Sequence, residues 1–566
     1  GVSNTLIGAS TGDALTDADH NTAVGAGALT ADTLGSKSTA LGKNALYTQN
    51  FTTATDSFNV AVGHEAGLLI TTGVNNTLIG AIAGDALTDG LKNVAVGQNA
   101  LGADTQGDNS VAIGSNALCT QNGTNGNVYN VAVGANAGFA MTTGTENVLI
   151  GGLAGDALTT GSYNVAVGFE ALSTEDGHGN NVAVGNRALK TLNAGAAGLN
   201  VAVGDDAGTA LTTGLYNTLV GALAGTALTD ADTNVAFGNA AIRADTLGSK
   251  TTAIGYQALT AQNFTTATDS YNTAVGYNAG LAVTTGVFNT LIGGLAGEAL
   301  TDADHNVAVG EDALANDTLG SRSVAIGRTA LFTQNFTTAT NADNTAVGYG
   351  AGDSVTTGTG NTLIGALAGD AISTGSDNVC VGYQAGTYQA NLTTANGNVL
   401  IGPYNDSTDG TTAYAHGLGY NLDCAPGYTT LGLGTADIRA EHGVATWATV
   451  SDERYKKDIV DSTAGLSFIK ALKPRTFKYK NLGELPETFR VYKADSTDVY
   501  KNSNTNHGFI AQEVKASIDA DSGIKDGFKL WDERPDGSQE VGEAALIPIL
   551  VKAIQELEAR VKELEG

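Results

Sequence analysis

A chain of 566 residues is too long for one compact domain, which usually holds about 100–200 residues, so several units are expected. Its 76 glycines follow no three-residue period, no stretch approaches the roughly 18 apolar residues of a membrane helix, and no signal peptide opens the chain, which excludes collagen and membrane insertion. Residues 1–450 carry 10 Lys and Arg against 36 Asp and Glu, a balance of −26, whereas residues 451–566 carry 18 against 21, a balance of −3; the acidic part repels phosphate backbones, so nucleic acid is excluded as its partner.

The chain opens inside a repeat, Asn4-Thr5-Leu6-Ile7-Gly8, without an initiator methionine, so a virion-attachment or anchor domain is expected upstream. The repeat is Asn-[Val/Thr]-[Ala/Leu]-[Val/Ile]-Gly, then two variable residues, then Ala followed by Leu or Gly. Its glycine recurs 23 times from Gly8 to Gly402, mostly in steps of 17 residues, with roughly every fourth step 19 to 21. A fixed period too short for a helical hairpin means that each unit is one turn, stacked on the last to bury a face it could not bury alone. Alternation in Asn59-Val60-Ala61-Val62-Gly63 predicts a short strand with Val60 and Val62 on one face and Ala61 on the other. Both faces are apolar. One is expected to fill the core and the other to meet a neighbouring layer or another chain. Gly63 and its equivalents are placed at a bend. Asn59 and its equivalents are expected to stack along the rod with their amides bonded, as scaffold rather than site. No proline precedes Pro403, as ladder pairing requires. Residues 1–402 are therefore predicted to form a mainly β, 17-residue-period solenoid shaft.

A slower period overlies the first. The TLIG, VLIG or TLVG form ends at Gly80, Gly151, Gly221, Gly293 and Gly365, at spacings of 71, 70, 72 and 72, so four turns make a super-unit. The extra residues sit mostly in one loop per super-unit. The loops Gln49–Phe58, Gln262–Tyr271 and Gln334–Asp343 are expected to project from one side and to be dispensable for folding. Aspartates such as Asp56, Asp230 and Asp302 recur with the repeat, which fits turn geometry and not the single carboxylate pair of a glycosidase. Cys119, Cys380 and Cys424 are irregularly spaced, so neither a disulfide scaffold nor a metal site is expected, and no cofactor is implied. Over residues 4–402 the shaft resembles the head repeats of trimeric autotransporter adhesins and the related rods of phage tail fibres, with Asn-x-Ala-Val-Gly-x-x-Ala recurring. That resemblance implies a homotrimer.

From Pro403 to Val450 the period fades. Gly417-Leu418-Gly419-Tyr420, Thr429-Thr430-Leu431-Gly432 and Trp447 suggest an aperiodic β-rich distal cap or junction, and a place for a receptor contact. Residues 451–566 read as a small α+β domain. Phe468, Ile469 and Leu472 form an apolar patch before Lys473-Pro474, Thr476 to Lys480 alternates as a strand, and Phe509 to Ile518 opens a helix. Ile547, Leu550, Ile554, Leu557, Val561 and Leu564 are spaced 3, 4, 3, 4, 3, the seam of a coiled coil over residues 547–564. Such a seam either docks on its own domain or self-associates.

The segment Ser451-Asp452-Glu453-Arg454-Tyr455-Lys456-Lys457-Asp458-Ile459, with Leu472-Lys473-Pro474, Phe477, His507-Gly508-Phe509-Ile510-Ala511-Gln512-Glu513-Val514 and the final helix, resembles the endosialidase-type intramolecular chaperone. This is an auto-cleaving C-terminal domain of phage tailspikes and tail fibres, whose pattern usually has Leu where Tyr455 stands. The resemblance implies a single-turnover serine peptidase built on a Ser451/Lys456 dyad, with cleavage between Val450 and Ser451. Arg454 and Lys457 would be the neighbouring cations that favour a neutral lysine, and Asp452 and Glu453 would hold local geometry. A slip of one 17-residue repeat would keep every apolar position correct, so an aligning domain that trimerises first answers a real hazard. The implied role is a phage tail fibre or tailspike shaft, assembled in the host cytoplasm and carried on the virion tail, that meets a host-surface glycan or protein receptor. The alternatives are a bacterial cell-surface adhesin with the same chaperone, or a polysaccharide depolymerase with its site upstream or within 403–450.

Overall fold

The structure, a computed structural model, describes every residue except 124–125, 390, 412, 445, 450 and 525–527. The chain divides into two compact units, Gly1–Val450 and Ser451–Gly566.

Each repeat of the first unit contributes a three-residue strand that pairs parallel and in register with the next, as in Val60↔Thr77, Ala61↔Leu78 and Val62↔Ile79. The unit is a β-solenoid. Of the 26 strands in its sheet, all but Ala436–Glu441 pair parallel, which leaves 25 rungs, and that last strand turns back antiparallel on Tyr428–Leu433. The stack therefore continues two rungs past Gly402, through His416–Tyr420 and Tyr428–Leu433. In the register these rungs place Gly417 and Thr430 where the others carry Ala, Leu or Cys, which hides them from the repeat. Cys424 fills the gap: a Cβ on Gly417 would lie 2.3 Å from its sulfur.

The Ala/Leu face is the core. Ala61, Leu78 and Ala95 are fully buried, while the outward Val and Ile residues stay half-exposed, Ile79 at 39%. Leucine stands in the strand in some rungs and after the conserved alanine in others, never at both positions of one rung. The rung of Gly97 holds Ala95, Ala100 and Leu101, and the rung of Gly80 holds Leu78, Ala83, Gly84 and Leu87. A Cβ on Gly84 would come within 2.9 Å of both Leu78 and Leu87, so both sites cannot be filled at once. Neighbouring rungs are matched in the same way: Leu46 before and Leu78 after both reach over Gly67. A one-rung slip is thus not neutral, contrary to the reading of the 17-residue period alone. Only a slip of a whole four-turn super-unit restores the packing.

The stacked asparagines are fully buried. The Asn59 amide oxygen accepts the backbone N–H of Asn76 at 2.9 Å, and its Nδ2 donates to the carbonyl of Gly73 at 2.7 Å, so the ladder runs chiefly through the backbone of the next turn. Where Ser38, Ser110, Thr251 or Ser323 replaces asparagine, the same rung carries a buried glutamine, Gln49, Gln121, Gln262 or Gln334. Gln49 donates to Ser38 at 2.9 Å and to Asp32 at 2.6 Å, and accepts from Asn59 at 2.9 Å. The third super-unit keeps Asn181 and has Leu192 at the glutamine position. These glutamines root the long loops, with Phe51, Phe264 and Phe336 each only 5% exposed beside them. Thr55–Asp56 also pairs with Gly35–Ser36 as a small second sheet. The loops are hence integral at their roots and not simply projecting, because the buried Asp–Gln pair needs them closed. Gly63 (φ +146°) marks the bend expected of it: a Cβ there would lie 2.2 Å from the Gly80 carbonyl oxygen.

In the second unit α1 (Leu466–Ala471), α2 (Ala511–Ala520) and α3 (Ile547–Glu565) enclose a core of Phe468, Leu472, Val514, Ile518, Leu530, Leu546 and Ile549. Pro548 stands in the first turn of α3, where no donor is lost. That helix docks through Ile549 and Ala553, and the Glu556 carboxylate accepts the Leu466 N–H at 2.9 Å. Its heptad seam faces solvent, with Ile547 62%, Ile554 64% and Leu564 87% exposed. The strand expected over Thr476–Lys480 is Arg475–Phe477, since pairing with Asn506–Gly508 ends at Phe477.

The ladder yields a test. Asn289→Ala strands the Asn306 N–H and the Ala303 carbonyl, now bonded to the side chain at 3.0 and 2.7 Å. Local opening is expected to become easier by roughly 2–5 kcal/mol, seen as faster amide exchange across these rungs, whereas unchanged exchange would contradict the ladder's role.

Candidate functional site

The second unit starts with a tight turn. Asp452 caps the 3-10 turn Glu453–Tyr455, accepting the Arg454 N–H at 2.8 Å, and the Lys456 N–H donates to the Glu453 carbonyl at 2.9 Å. The turn folds the chain back so that Lys456 Nζ lies 2.7 Å from Ser451 Oγ. A hydroxyl and an amine in direct hydrogen bond are the parts of a nucleophile and base pair. Both residues are exposed.

Arg454 is not beside Lys456 as a free cation. It grips Asp452 as a fork, Nε–Oδ1 3.0 Å and Nη2–Oδ2 2.6 Å, and this guanidinium, together with the backbone bond, holds the Asp452 carboxyl below the usual carboxylate range. Asp452 thus serves geometry, and Glu453 contributes its carbonyl to the turn. Lys457 makes no ion pair among the described residues and is exposed, so it remains the one nearby cation of the segment. Val450, on the acyl side of the bond in question, lies outside the described residues.

The other motif segments meet one another. Arg475–Phe477 pairs antiparallel with Asn506–Gly508, and Arg475 grips Glu513 with Nε–Oε2 at 2.8 Å and Nη2–Oε1 at 2.5 Å. The Ser517 hydroxyl donates to the Ala471 carbonyl at 3.3 Å, tying α2 to α1. Residues 451–521 match the family model for the chaperone of endosialidase. The matched chaperone region includes Ser451, Lys456 and both strands of that sheet, and stops before α3. Comparison of the chain with curated proteins and with solved structures found no match.

A cleft of about 1080 Å³ in the same unit is lined by residues from 477–512 and 534–543. It escaped sequence reading because its wall is assembled from segments far apart in the chain; the only signal was the cluster of aromatics Phe477, Tyr479, Phe489, Tyr500 and Phe509. In the shaft, Glu175, Asp176 and His178 are close enough to ligate a metal, yet the buried Glu175 carboxylate is satisfied internally by the His178 N–H and Nδ1 at 3.0 and 3.1 Å and the Ala194 N–H at 3.1 Å.

The Asp452 fork sets a pH dependence. A carboxyl whose folded value is depressed contributes order that is present above its ordinary range and lost as pH falls through the lowered value. Carboxyl NMR titration is expected to give Asp452 a midpoint below that of an ordinary aspartate, and Arg454→Ala to move it upward. An unmoved midpoint would remove Arg454 as the cause.

Proposed function

We propose that this chain is the shaft of a phage tail fibre or tailspike, assembled as a homotrimer by its C-terminal chaperone region, which then releases itself by cutting between Val450 and Ser451. The reading is carried by one juxtaposition: a Ser451–Lys456 hydrogen bond of 2.7 Å inside the region matching the chaperone of endosialidase, in a chain whose preceding unit is a 25-rung solenoid. Lys456 Nζ takes the Ser451 hydroxyl proton as Oγ bonds to the carbonyl carbon of residue 450. The C–N bond breaks, the proton passes to the departing Ser451 amine, and the acyl group is left as an ester on Oγ. Water hydrolyses that ester, leaving a carboxylate on residue 450 and restoring the hydroxyl.

Two surfaces support self-association. The outward Val/Ile face of the shaft and the exposed seam of α3 are apolar over lengths that a soluble single chain rarely leaves uncovered. A host-surface glycan or protein is the receptor that such a fibre would meet.

Denaturing electrophoresis tests the cut. Wild type should give pieces of 450 and 116 residues, and Ser451→Ala and Lys456→Ala should each give only the 566-residue chain in an assembled fibre. A Ser451→Ala chain still cut at that bond would eliminate the dyad. The seam is tested separately: Ile554→Glu with Leu557→Glu should turn a trimer into monomer in sedimentation equilibrium, and a trimer retained by the double variant would exclude α3 as its contact.

A further inference from the structure

Tyrosines gather on the C-terminal rungs of the shaft. Tyr383 and Tyr420 each follow the glycine of their rung, Tyr404 stands one position further along the rung between them, and Tyr388 comes from the loop before it. Tyr404 is the hub. Its ring centre lies 5.4 Å from that of Tyr383, 4.7 Å from Tyr388 and 5.7 Å from Tyr420, at interplanar angles of 87, 60 and 83°. An edge-to-face contact covers at most one of the four ring faces involved, so much of this aromatic surface stays bare, and Tyr383, Tyr388 and Tyr420 are 43, 48 and 48% exposed. Other exposed rings of the shaft lie flat on one another, Tyr256 on Tyr277 at 9° and Tyr271 on Phe288 at 11°, and cover each other's faces.

Amides flank the hub. The register Val381↔Ile401 and Ile401↔Leu418 puts Gln384 one rung before Tyr404 and Asn421 one rung after it, in the same column. Both are partly exposed, and neither side-chain amide is hydrogen-bonded among the described residues. Each therefore offers an NH2 donor and a carbonyl acceptor to a ligand. From Thr329 to Ile438 the chain carries eight aspartates and neither Lys nor Arg, so an anionic ligand meets repulsion with no cation to hold it. Bare ring faces, free amides and an acidic surround complement one chemistry: an uncharged pyranose, whose flat face presents weakly positive C–H groups and whose rim presents hydroxyls.

We propose that the cluster of Tyr383, Tyr388, Tyr404 and Tyr420 binds a neutral hexopyranose glycan, with Gln384 and Asn421 bonding its hydroxyls. This rests on the fibre reading for where such a glycan is met, and it narrows the receptor of that reading to an uncharged polysaccharide.

Saturation-transfer NMR on the full chain as it assembles tests the site. The neutral probes are methyl glycosides of glucose, galactose, mannose and N-acetylglucosamine; the anionic ones are glucuronic and N-acetylneuraminic acid. At least one neutral probe should take up saturation, most strongly at the C–H groups of one face, and neither acid should. Tyr383→Ala with Tyr420→Ala should lose that signal, whereas Tyr383→Phe with Tyr420→Phe should keep it, because ring faces do the stacking. Absence of uptake by every neutral probe would overturn the site and leave the rings to a protein partner or a second copy. Stronger uptake by an acid, or uptake unchanged in the alanine variant, would overturn it too. Should the alanine variant fail to assemble, Gln384→Ala with Asn421→Ala keeps every ring and is expected to weaken binding about tenfold, and unchanged affinity would count against the assignment. Repeating the series in Ser451→Ala separates this site from the dyad, since saturation uptake does not depend on cutting.

Discussion

The shaft depends on a column of buried amides, most of which satisfy the backbone of the next turn. A solenoid rung is too short to pair its own corners, so each turn leaves donors and acceptors inside the wall where water cannot reach them. Asparagine is the right length to accept one backbone N–H and donate to one carbonyl, as Asn59 does toward Asn76 and Gly73. Where the column changes to serine or threonine, the glutamine of the same rung reaches in, and an aspartate from the rung before holds that glutamine in turn. The long loops, the second small sheet and the buried Phe51, Phe264 and Phe336 all follow from closing that substitute network.

Core packing adds a second constraint with a longer period. Leucine is shared between two columns over each group of four turns, and glycine opens the space that leucines of its own or the neighbouring rungs need. Register is therefore specified over four turns, not one. The error left open is a slip of a whole super-unit, such as the 72 residues between Gly221 and Gly293, which preserves both the ladder and the packing. A proposed aligning domain at the end of the chain addresses the error that the shaft's own chemistry cannot reject.

What one chain leaves uncovered is consistent between the units. The shaft hides Ala and Leu and turns Val and Ile outward, α3 docks by Ile549 and Ala553 and turns its heptad seam outward, and the segment that carries Ser451 and Lys456 leaves Tyr455, Ile459 and Val460 exposed. Each element satisfies its own unit with one face and holds another in reserve.

Local order in the chain was enough to establish the solenoid, the strand alternation, the bend at Gly63, the asparagine column and the α3 seam, because each is a short-range period that stacking simply repeats. The pairing of Ser451 with Lys456 was readable only through the family motif, since a serine and a lysine five residues apart carry no chemistry until the Asp452-capped turn folds them together. Tertiary structure alone decided which strand face is core, that Gly417 and Thr430 continue the stack, that the loop roots are buried, and that Arg454 is spent on Asp452. It also decided the aromatic cleft, whose walls come from residues 477 to 543. Apart from the Arg454–Asp452 fork, these depend on what lies one rung away or across a domain, commonly 17 residues in the shaft, over which sequence carries no local signal to reveal the partner.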